Sequence, residues 1–116
     1  MEKEKVERSA LEYVIGERLS LHTNSVIVLP SEQEGEIQYL RAKFPAYHFW
    51  ITKPGIKNQI LATNAAVVGL RLRDEFIDGE NAATVTVVCS LRVEFVLKMK
   101  KRDVWCVETA ERITVD

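Results

Sequence analysis

The chain has 116 residues, of which 47% are hydrophobic and 28% charged, and its formal net charge is −1. This length predicts one domain, residues 1–116, whose hydrophobic core needs no metal or disulfide support. The near-neutral charge argues against a nucleic-acid or membrane-surface binder, because both usually carry a basic excess. No apolar run approaches the ~20 residues of a membrane span. We therefore expect a soluble, cytoplasmic protein.

The two cysteines, Cys89 and Cys106, are expected to be structural residues. The strand register derived below points them to opposite faces of a sheet, where they cannot form a disulfide. The chain has no Cys-x-x-Cys motif and no His/Cys cluster with the spacing of metal ligands. The sequence therefore predicts neither a metal nor a cofactor.

The N-terminal part predicts two helices separated by a short strand. Residues 3–20 carry a wide apolar arc, which is typical of a helix that lies in a groove. The apolar run 26–29 predicts a buried strand. Ser31 with Glu34 three residues later is a capping-box pattern, so a second helix is expected to begin there. Pro45 ends it, because proline cannot continue the helical hydrogen bonds.

Residues 47–51 combine aromatic and β-branched side chains and predict another strand. Alternation places His48 and Trp50 on the same face of this strand. Pro54 and Gly55 mark a turn, and residues 56–62 are interpreted as a continued strand.

The last third of the chain alternates between apolar and polar residues. Every odd position from Ala83 to Met99 is apolar, which predicts a strand with one face on a core and the other largely in water. At ~3.3 Å per residue this strand would span roughly 55 Å, so we expect it to bend. With strands at residues 66–77 and after Trp105, it predicts a three-stranded antiparallel meander.

The pair Asp78-Gly79 predicts a two-residue type I′ hairpin, in which both central residues need positive φ. This turn pairs Ile77 with Glu80 and Leu70 with Val87, so that the apolar faces of the two strands coincide. On this register the core face of the first strand carries Val68, Leu70, Leu72 and Phe76.

The second hairpin requires a loop of odd length around residues 101–103 to bring the apolar faces together. The resulting register pairs Met99 with Trp105, Leu97 with Val107, Leu91 with Ile113 and Cys89 with Val115. It also places Glu111 in mid-sheet, opposite Val93.

Three stretches, residues 35–44, 65–72 and 97–107, together with the order helix, strand, helix and long antiparallel sheet, resemble the nuclear transport factor two-like superfamily. This superfamily includes the SnoaL-like polyketide cyclases, ketosteroid isomerase and scytalone dehydratase. The resemblance implies a sheet curled into a cone, with the first helix over its mouth and dimers formed through its outer face. The short segment between the helices leaves little room for the extra helix of enzymatic members. Their catalytic carboxylate has no counterpart here, so no catalytic residue is transferred.

Polar residues that interrupt apolar faces are the candidate site. Thr109 and Glu111 lie in line with apolar neighbours of the last strand. A carboxylate inside the cone is costly unless it is hydrogen-bonded or protonated, and functional pKa shifts collect at such sites. The alternative is a strand bulge that rotates Glu111 outward. Asp74 also interrupts an apolar face but is interpreted as solvated near the hairpin end. It lies roughly 30 Å from Glu111, too far for a glycosidase-like pair.

Two aromatic neighbourhoods complete the candidate site. His48 beside Trp50 could act as an acid/base or bind a polar head group, or else be a surface histidine whose aromatic neighbours fill the core. Tyr13 of the first helix could point its hydroxyl into the cone, as superfamily members use helix tyrosines. The alternative is a tyrosine that caps the core with its oxygen at the rim.

We therefore expect an α+β fold, in which a curved antiparallel sheet forms a cone packed against an N-terminal helix and a second helix. The alternative is a cystatin-like helix plus meander, without the second helix. The favoured function is non-catalytic: a small-molecule-binding or protein-interaction module whose pocket, between the first helix and the concave face, could take a small hydrophobic ligand. The alternatives are a cofactor-free isomerase, dehydratase or cyclase that uses His48 or Glu111, and a structural assembly protein with a filled cone.

A homodimer through the outer sheet face is also expected, because valines on an uncovered sheet benefit from a partner. The residues assigned to that face are Val67, Arg71, Arg73, Thr84, Thr86, Val88, Arg92 and Val96.

Overall fold

The computed structural model describes residues 2–53, 66–90 and 92–114. These residues form two α-helices and six strands, so the α+β class is confirmed. The helices are α1 (Glu2–Tyr13) and α2 (Ile37–Lys43), and the strands are β1 (Val26–Leu29), β2 (His48–Ile51), β3 (Val67–Asp78), β4 (Ala82–Cys89), β5 (Val93–Lys101) and β6 (Trp105–Thr114). The strand order is β2-β1-β3-β4-β5-β6, and most neighbours are antiparallel. The chain divides into two units, residues 1–19 with 71–116 and residues 20–70.

In the first unit, α1 packs against β4 and β6. Its Val6, Ala10 and Leu11 are fully buried, as the wide apolar arc of residues 3–20 predicted, whereas Tyr13 is half-buried. The regular helix stops at Tyr13, however, and one π-helical turn, Val14–Arg18, follows it. Leu19 then adopts an extended conformation, and its N–H donates to the Val14 carbonyl at 3.0 Å. The predicted helix is therefore present but ends in a wider turn.

The expected bend in the long alternating segment is a complete hairpin. Residues 90–92 separate β4 from β5, Arg92 has a left-handed φ of 63°, and Cys89 pairs with Val93. Because the loop has an odd number of residues, odd-numbered side chains stay on the same face through the turn. The three-stranded meander is therefore wrong, and four strands take its place. A hairpin with an odd loop and a continuous strand produce the same alternation, so the pattern cannot distinguish them.

The connection between β3 and β4 is longer than the type I′ turn predicted for Asp78-Gly79. Asp78 belongs to β3, only Gly79 has positive φ (71°), and the loop comprises residues 79–81. The pairing of Ile77 with Glu80 is therefore wrong, because Glu80 lies in the loop. Leu70 and Val87 are nevertheless both buried, at 2% and 0% exposure.

The alternation of β3 changes at Asp74, which has a positive φ of 52° within the strand. Aspartate tolerates this left-handed conformation better than most residues, and such a residue disrupts the regular pleat. Before it, Val68 and Leu70 are buried as predicted, whereas beyond it Phe76 is 64% exposed. The prediction that Phe76 faces the core is therefore wrong.

The register of β5 with β6 also differs from the prediction. Lys101 pairs with Trp105, and Met99 pairs with Val107. The expected pairs Met99–Trp105 and Leu97–Val107 are therefore wrong. A β-bulge follows, since Lys98 pairs with Thr109 and leaves one additional β6 residue between the two pairs.

Beyond this bulge the β6 partners differ from the prediction as well. Glu94 pairs with Ile113 and Val96 with Glu111, so the predicted pairing of Glu111 with Val93 is wrong. The predicted partners Leu91 and Val115 lie outside the described residues.

In the second unit, β1 pairs in parallel with both β2 and the start of β3, whereas an antiparallel sheet was expected. The connection from β1 to β2 includes α2, which is the kind of helical crossover that parallel strands need. Phe49 of β2, Ile27 of β1 and Leu40 of α2 are each buried to at least 99% and form its core. The predicted turn at Pro54-Gly55 and the strand 56–62 lie outside the described residues.

The second helix begins with a 3₁₀ segment, Ser31–Glu36, before α2. Its cap residue is Pro30, and no side chain makes a capping hydrogen bond. The predicted capping box of Ser31 and Glu34 is therefore wrong, because Ser31 already lies inside the helical turn. The helix does end just before Pro45, as predicted.

Candidate functional site

One side of β4 and β5 carries their buried apolar residues. It is termed here the inner face, and the predicted pocket would lie on this side, where α1 contacts β4. Seven of its apolar side chains have exposures of 4% or less: Ala83, Val85, Val87, Cys89, Phe95, Leu97 and Met99. From α1, the side chains of Val6, Ala10 and Leu11 are fully buried. The inner face therefore contributes chiefly to the core of the first unit.

Tyr13, the candidate from α1, is half-buried. Its hydroxyl accepts a 3.0 Å hydrogen bond from Arg18 Nε, and the Arg18 guanidinium carbon lies 5.6 Å from the ring centroid. The π-helical turn positions Arg18 five residues after Tyr13, so that it reaches back over the ring. The Tyr13 hydroxyl thus has a partner at an exposed end of the helix, in keeping with a tyrosine at the rim.

Thr109 and Glu111 of β6 are both exposed. Leu97, on the inner face, pairs with Ala110, whereas Val96, on the opposite face, pairs with Glu111. The additional residue at the bulge reverses which side chains of β6 face the core. The bulge that turns Glu111 outward, considered from the sequence as an alternative, is therefore present.

His48 and Trp50 lie in the second unit, on β2. His48 is exposed and its backbone N–H donates to the Ser25 carbonyl at 2.9 Å, while Trp50 is half-buried. The side chain that fills the core is Phe49, on the other face of the strand, at 1% exposure. This is the arrangement of a surface histidine beside core aromatics.

A polar cluster that the sequence did not reveal joins the start of α1 to the β5–β6 hairpin. The Glu2 carboxylate accepts hydrogen bonds from Trp105 Nε1 at 2.8 Å and from Lys101 Nζ at 3.1 Å. These two bonds lower the pKa of Glu2 from its ordinary value of 4.5. No sequence spacing signals a contact between residues so far apart, since it depends on the docking of α1.

The opposite side of the first unit's sheet, termed here the outer face, carries both polar and apolar side chains, and its Thr86 is only 6% exposed. The residues that β4, β5 and β6 contribute to it are Ala82, Thr84, Thr86, Val88, Glu94, Val96, Lys98, Lys100, Cys106, Thr109, Glu111 and Ile113. Val88 and Val96 are half-buried and Ile113 is 39% exposed. Of the face predicted from sequence, Thr84, Thr86, Val88 and Val96 lie on it, whereas Arg92 lies in the β4–β5 turn.

Arg73 crosses this outer face to Glu94. Its Nη1 and Nη2 donate to the two Glu94 carboxylate oxygens at 2.6 and 2.8 Å, and its Nε donates to Asp74 at 3.1 Å. These bonds raise the pKa of Arg73. A bidentate pair of this kind fixes the orientation of both side chains, so the outer face carries an ordered charge pair beside its valines.

No cluster of three or more His, Cys, Asp or Glu side chains within residues 2–53, 66–90 and 92–114 is arranged to hold a metal ion. Neither helix of the described chain combines the length and apolarity that crossing a membrane requires. Comparisons with protein-family models, with curated proteins and with solved structures gave no match.

Proposed function

We propose that the protein is a non-catalytic protein-interaction module that forms a homodimer through its outer face. The supporting observation is the contrast between the two sides of the first unit's sheet. The apolar side chains of the inner face are buried, whereas the outer face leaves Val88, Val96 and Ile113 partly in water. Covering apolar side chains of this kind is the main favourable contribution to association.

The outer face also has a suitable size. Four strands about 4.8 Å apart and about 26 Å long present roughly 500 Å² in projection. Accessible area exceeds projected area, so the face is on the scale of the ~800 Å² per partner of a standard interface. The Arg73–Glu94 pair contributes fixed charges, which favour one orientation of a partner over others.

The candidate residues offer less support for a ligand pocket or an acid/base enzyme. Such sites usually combine an apolar cavity with a few convergent polar groups. Glu111, Thr109 and His48 are exposed, and the Tyr13 hydroxyl is bonded to Arg18. The protein-interaction hypothesis needs none of these groups to be enclosed.

Val96→Lys tests the proposal, because Val96 pairs with Thr86 on one side and Glu111 on the other, in the middle of the outer face. We expect the wild-type protein to sediment as a dimer and the variant as a monomer with an unchanged circular dichroism spectrum. Ser20→Lys, which adds the same charge at an exposed position outside the sheet, is the matched control and should remain dimeric. A Val96→Lys variant that dimerises as strongly as the wild type would refute the proposal.

A further inference from the structure

Two hairpin tips of opposite charge lie side by side in the first unit. The acidic tip comprises residues 76–81, between β3 and β4, and the basic tip comprises residues 100–104, between β5 and β6. The Lys101 N–H donates to the Asn81 carbonyl at 2.8 Å, and Ala82 pairs with Lys100. Both tips therefore belong to the same end of the sheet.

The acidic tip combines negative charge with apolar surface. Asp78 and Glu80 are exposed, and residues 74–81 contain no lysine or arginine. Phe76 is 64% exposed and Ile77 36%. Removing exposed apolar side chains of this size from water favours association with a partner.

The basic tip also combines charge with apolar surface, but its charge is positive. Lys100 and Arg102 are exposed, and Val104 is 67% exposed. Asp103 is the acidic residue of this tip. The ion pair of Lys100 with Glu108, at 3.7 Å, joins two side chains that are each more than half exposed, so it holds Lys100 only weakly.

We infer that these tips bind each other across the dimer, the acidic tip of one subunit against the basic tip of its partner. This inference rests on the proposed function and specifies the orientation of that dimer. When two outer faces pack about a two-fold axis parallel to the strands and between β4 and β5, the β3–β4 side of one copy lies over the β5–β6 side of the other. The hairpin-tip ends of the two sheets lie at the same end of the dimer, so the acidic tip of each subunit meets the basic tip of the other.

The contact includes apolar side chains as well as charges. Phe76 of each subunit approaches Val104 of its partner, and the surrounding charges have opposite signs. Charge complementarity of this kind selects one register and disfavours others, because juxtaposed like charges repel. A two-fold axis perpendicular to the strands would instead place the tips at opposite ends of the dimer.

Charge reversal tests the inference. The acid-reversed protein carries Asp78→Lys and Glu80→Lys, and the base-reversed protein carries Lys100→Glu and Arg102→Glu. Lys101 is left unchanged because it binds Glu2. We expect each reversed protein alone to dimerise at least tenfold more weakly than the wild type, and an equimolar mixture of the two to sediment as a dimer.

The matched control for the acid-reversed protein, Glu4→Lys with Glu17→Lys, makes the same change in net charge at two exposed helical positions and should leave dimerisation unchanged. If both reversed proteins dimerise like the wild type while Val96→Lys is monomeric, the tip contact is refuted and the outer-face dimer stands. If the reversed proteins behave as expected but Val96→Lys still dimerises, the tips bind each other in a dimer that does not use the outer face, and both the outer-face proposal and the orientation derived from it are refuted. A monomeric wild type refutes both.

Discussion

The indole Nε1 of Trp105 donates a 2.8 Å hydrogen bond to the carboxylate of Glu2, a residue 103 positions earlier in the chain. Trp105 is only 5% exposed, so this bond lies at the edge of the core. Lys101 donates to the other carboxylate oxygen at 3.1 Å. The Glu2 side chain thus links the first turn of α1 to the hairpin between β5 and β6 by hydrogen bonds.

Replacing Glu2 by glutamine should lower the melting temperature at pH 7, because glutamine keeps an acceptor but loses the charge that Lys101 binds. The folded state lowers the pKa of Glu2 below its ordinary value of 4.5. Its contribution to stability is therefore fully present above pH 4.5 and is lost as the pH falls through the lowered folded-state pKa. Thermal unfolding as a function of pH should show the two proteins converging in acid.

The control for this experiment is Glu4→Gln, in the same helical turn and exposed. It removes the same charge from the N-terminal end of the helix dipole, so it separates the contact with the hairpin from the general effect of charge. Equal losses of stability in the two variants would contradict a specific role for Glu2.

Truncation of neighbouring valines tests the assignment of the two sheet faces. Val87→Ala removes two buried methyl groups at a position with 0% exposure and should cost about 2 kcal/mol of unfolding free energy. Val88→Ala, one residue later on the outer face, should cost less than about 1 kcal/mol. Urea denaturation in the Val96→Lys background measures both without a contribution from dimerisation. A larger loss of unfolding free energy for Val88→Ala than for Val87→Ala would show that the two faces are assigned the wrong way round.

Gly79→Ala tests the left-handed loop between β3 and β4. Gly79 has φ of +71°, which costs an L-residue about 1–2 kcal/mol, although a Cβ there would meet no atom within 4 Å. Gly35→Ala is the matched control, since it too has no neighbour within 4 Å but lacks positive φ. We expect Gly79→Ala to lower the urea midpoint and Gly35→Ala to leave it unchanged or raise it. A Gly79→Ala variant with an unchanged urea midpoint would contradict the left-handed conformation of Gly79.

Arg73→Lys should weaken the cross-strand contact with Glu94, because lysine cannot reproduce the two parallel hydrogen bonds of the guanidinium. Arg73 is 40% exposed, so the loss of stability should be small and should shrink as salt is added. A double-mutant cycle with Glu94→Gln, measured at low and high ionic strength, isolates the pair. A coupling that does not change with salt would contradict its electrostatic origin.

The alternation of the last third predicted which side chains would be buried more reliably than how the strands are connected. Leu97 and Val87 are both in the core, yet they lie on paired strands and not along one bent strand. Odd-numbered residues lie on the same face before and after the turn at Arg92, so the periodicity of the sequence does not reveal the turn. The apolar pattern therefore indicates which face of the sheet a side chain occupies. How the strands are connected depends instead on the free energy of closing the loop between them.

The predictions of site residues depended on strand register, which local irregularities altered. The bulge in β6 moved Glu111 to the outer face, and the left-handed Asp74 left Phe76 beyond it in water. Bulges depend on how a strand fits its neighbour, which no single stretch of sequence specifies. The alternative weighed for Glu111 did anticipate one such bulge.

Sedimentation equilibrium of the wild-type protein beside Val96→Lys and Ser20→Lys tests the proposed interaction module most directly. The outer-face dimer predicts a wild-type mass of twice the 13.3 kDa of one chain, with the Ser20→Lys control the same and Val96→Lys at the mass of one chain. A wild-type protein that remains a single chain at every concentration examined would contradict the account.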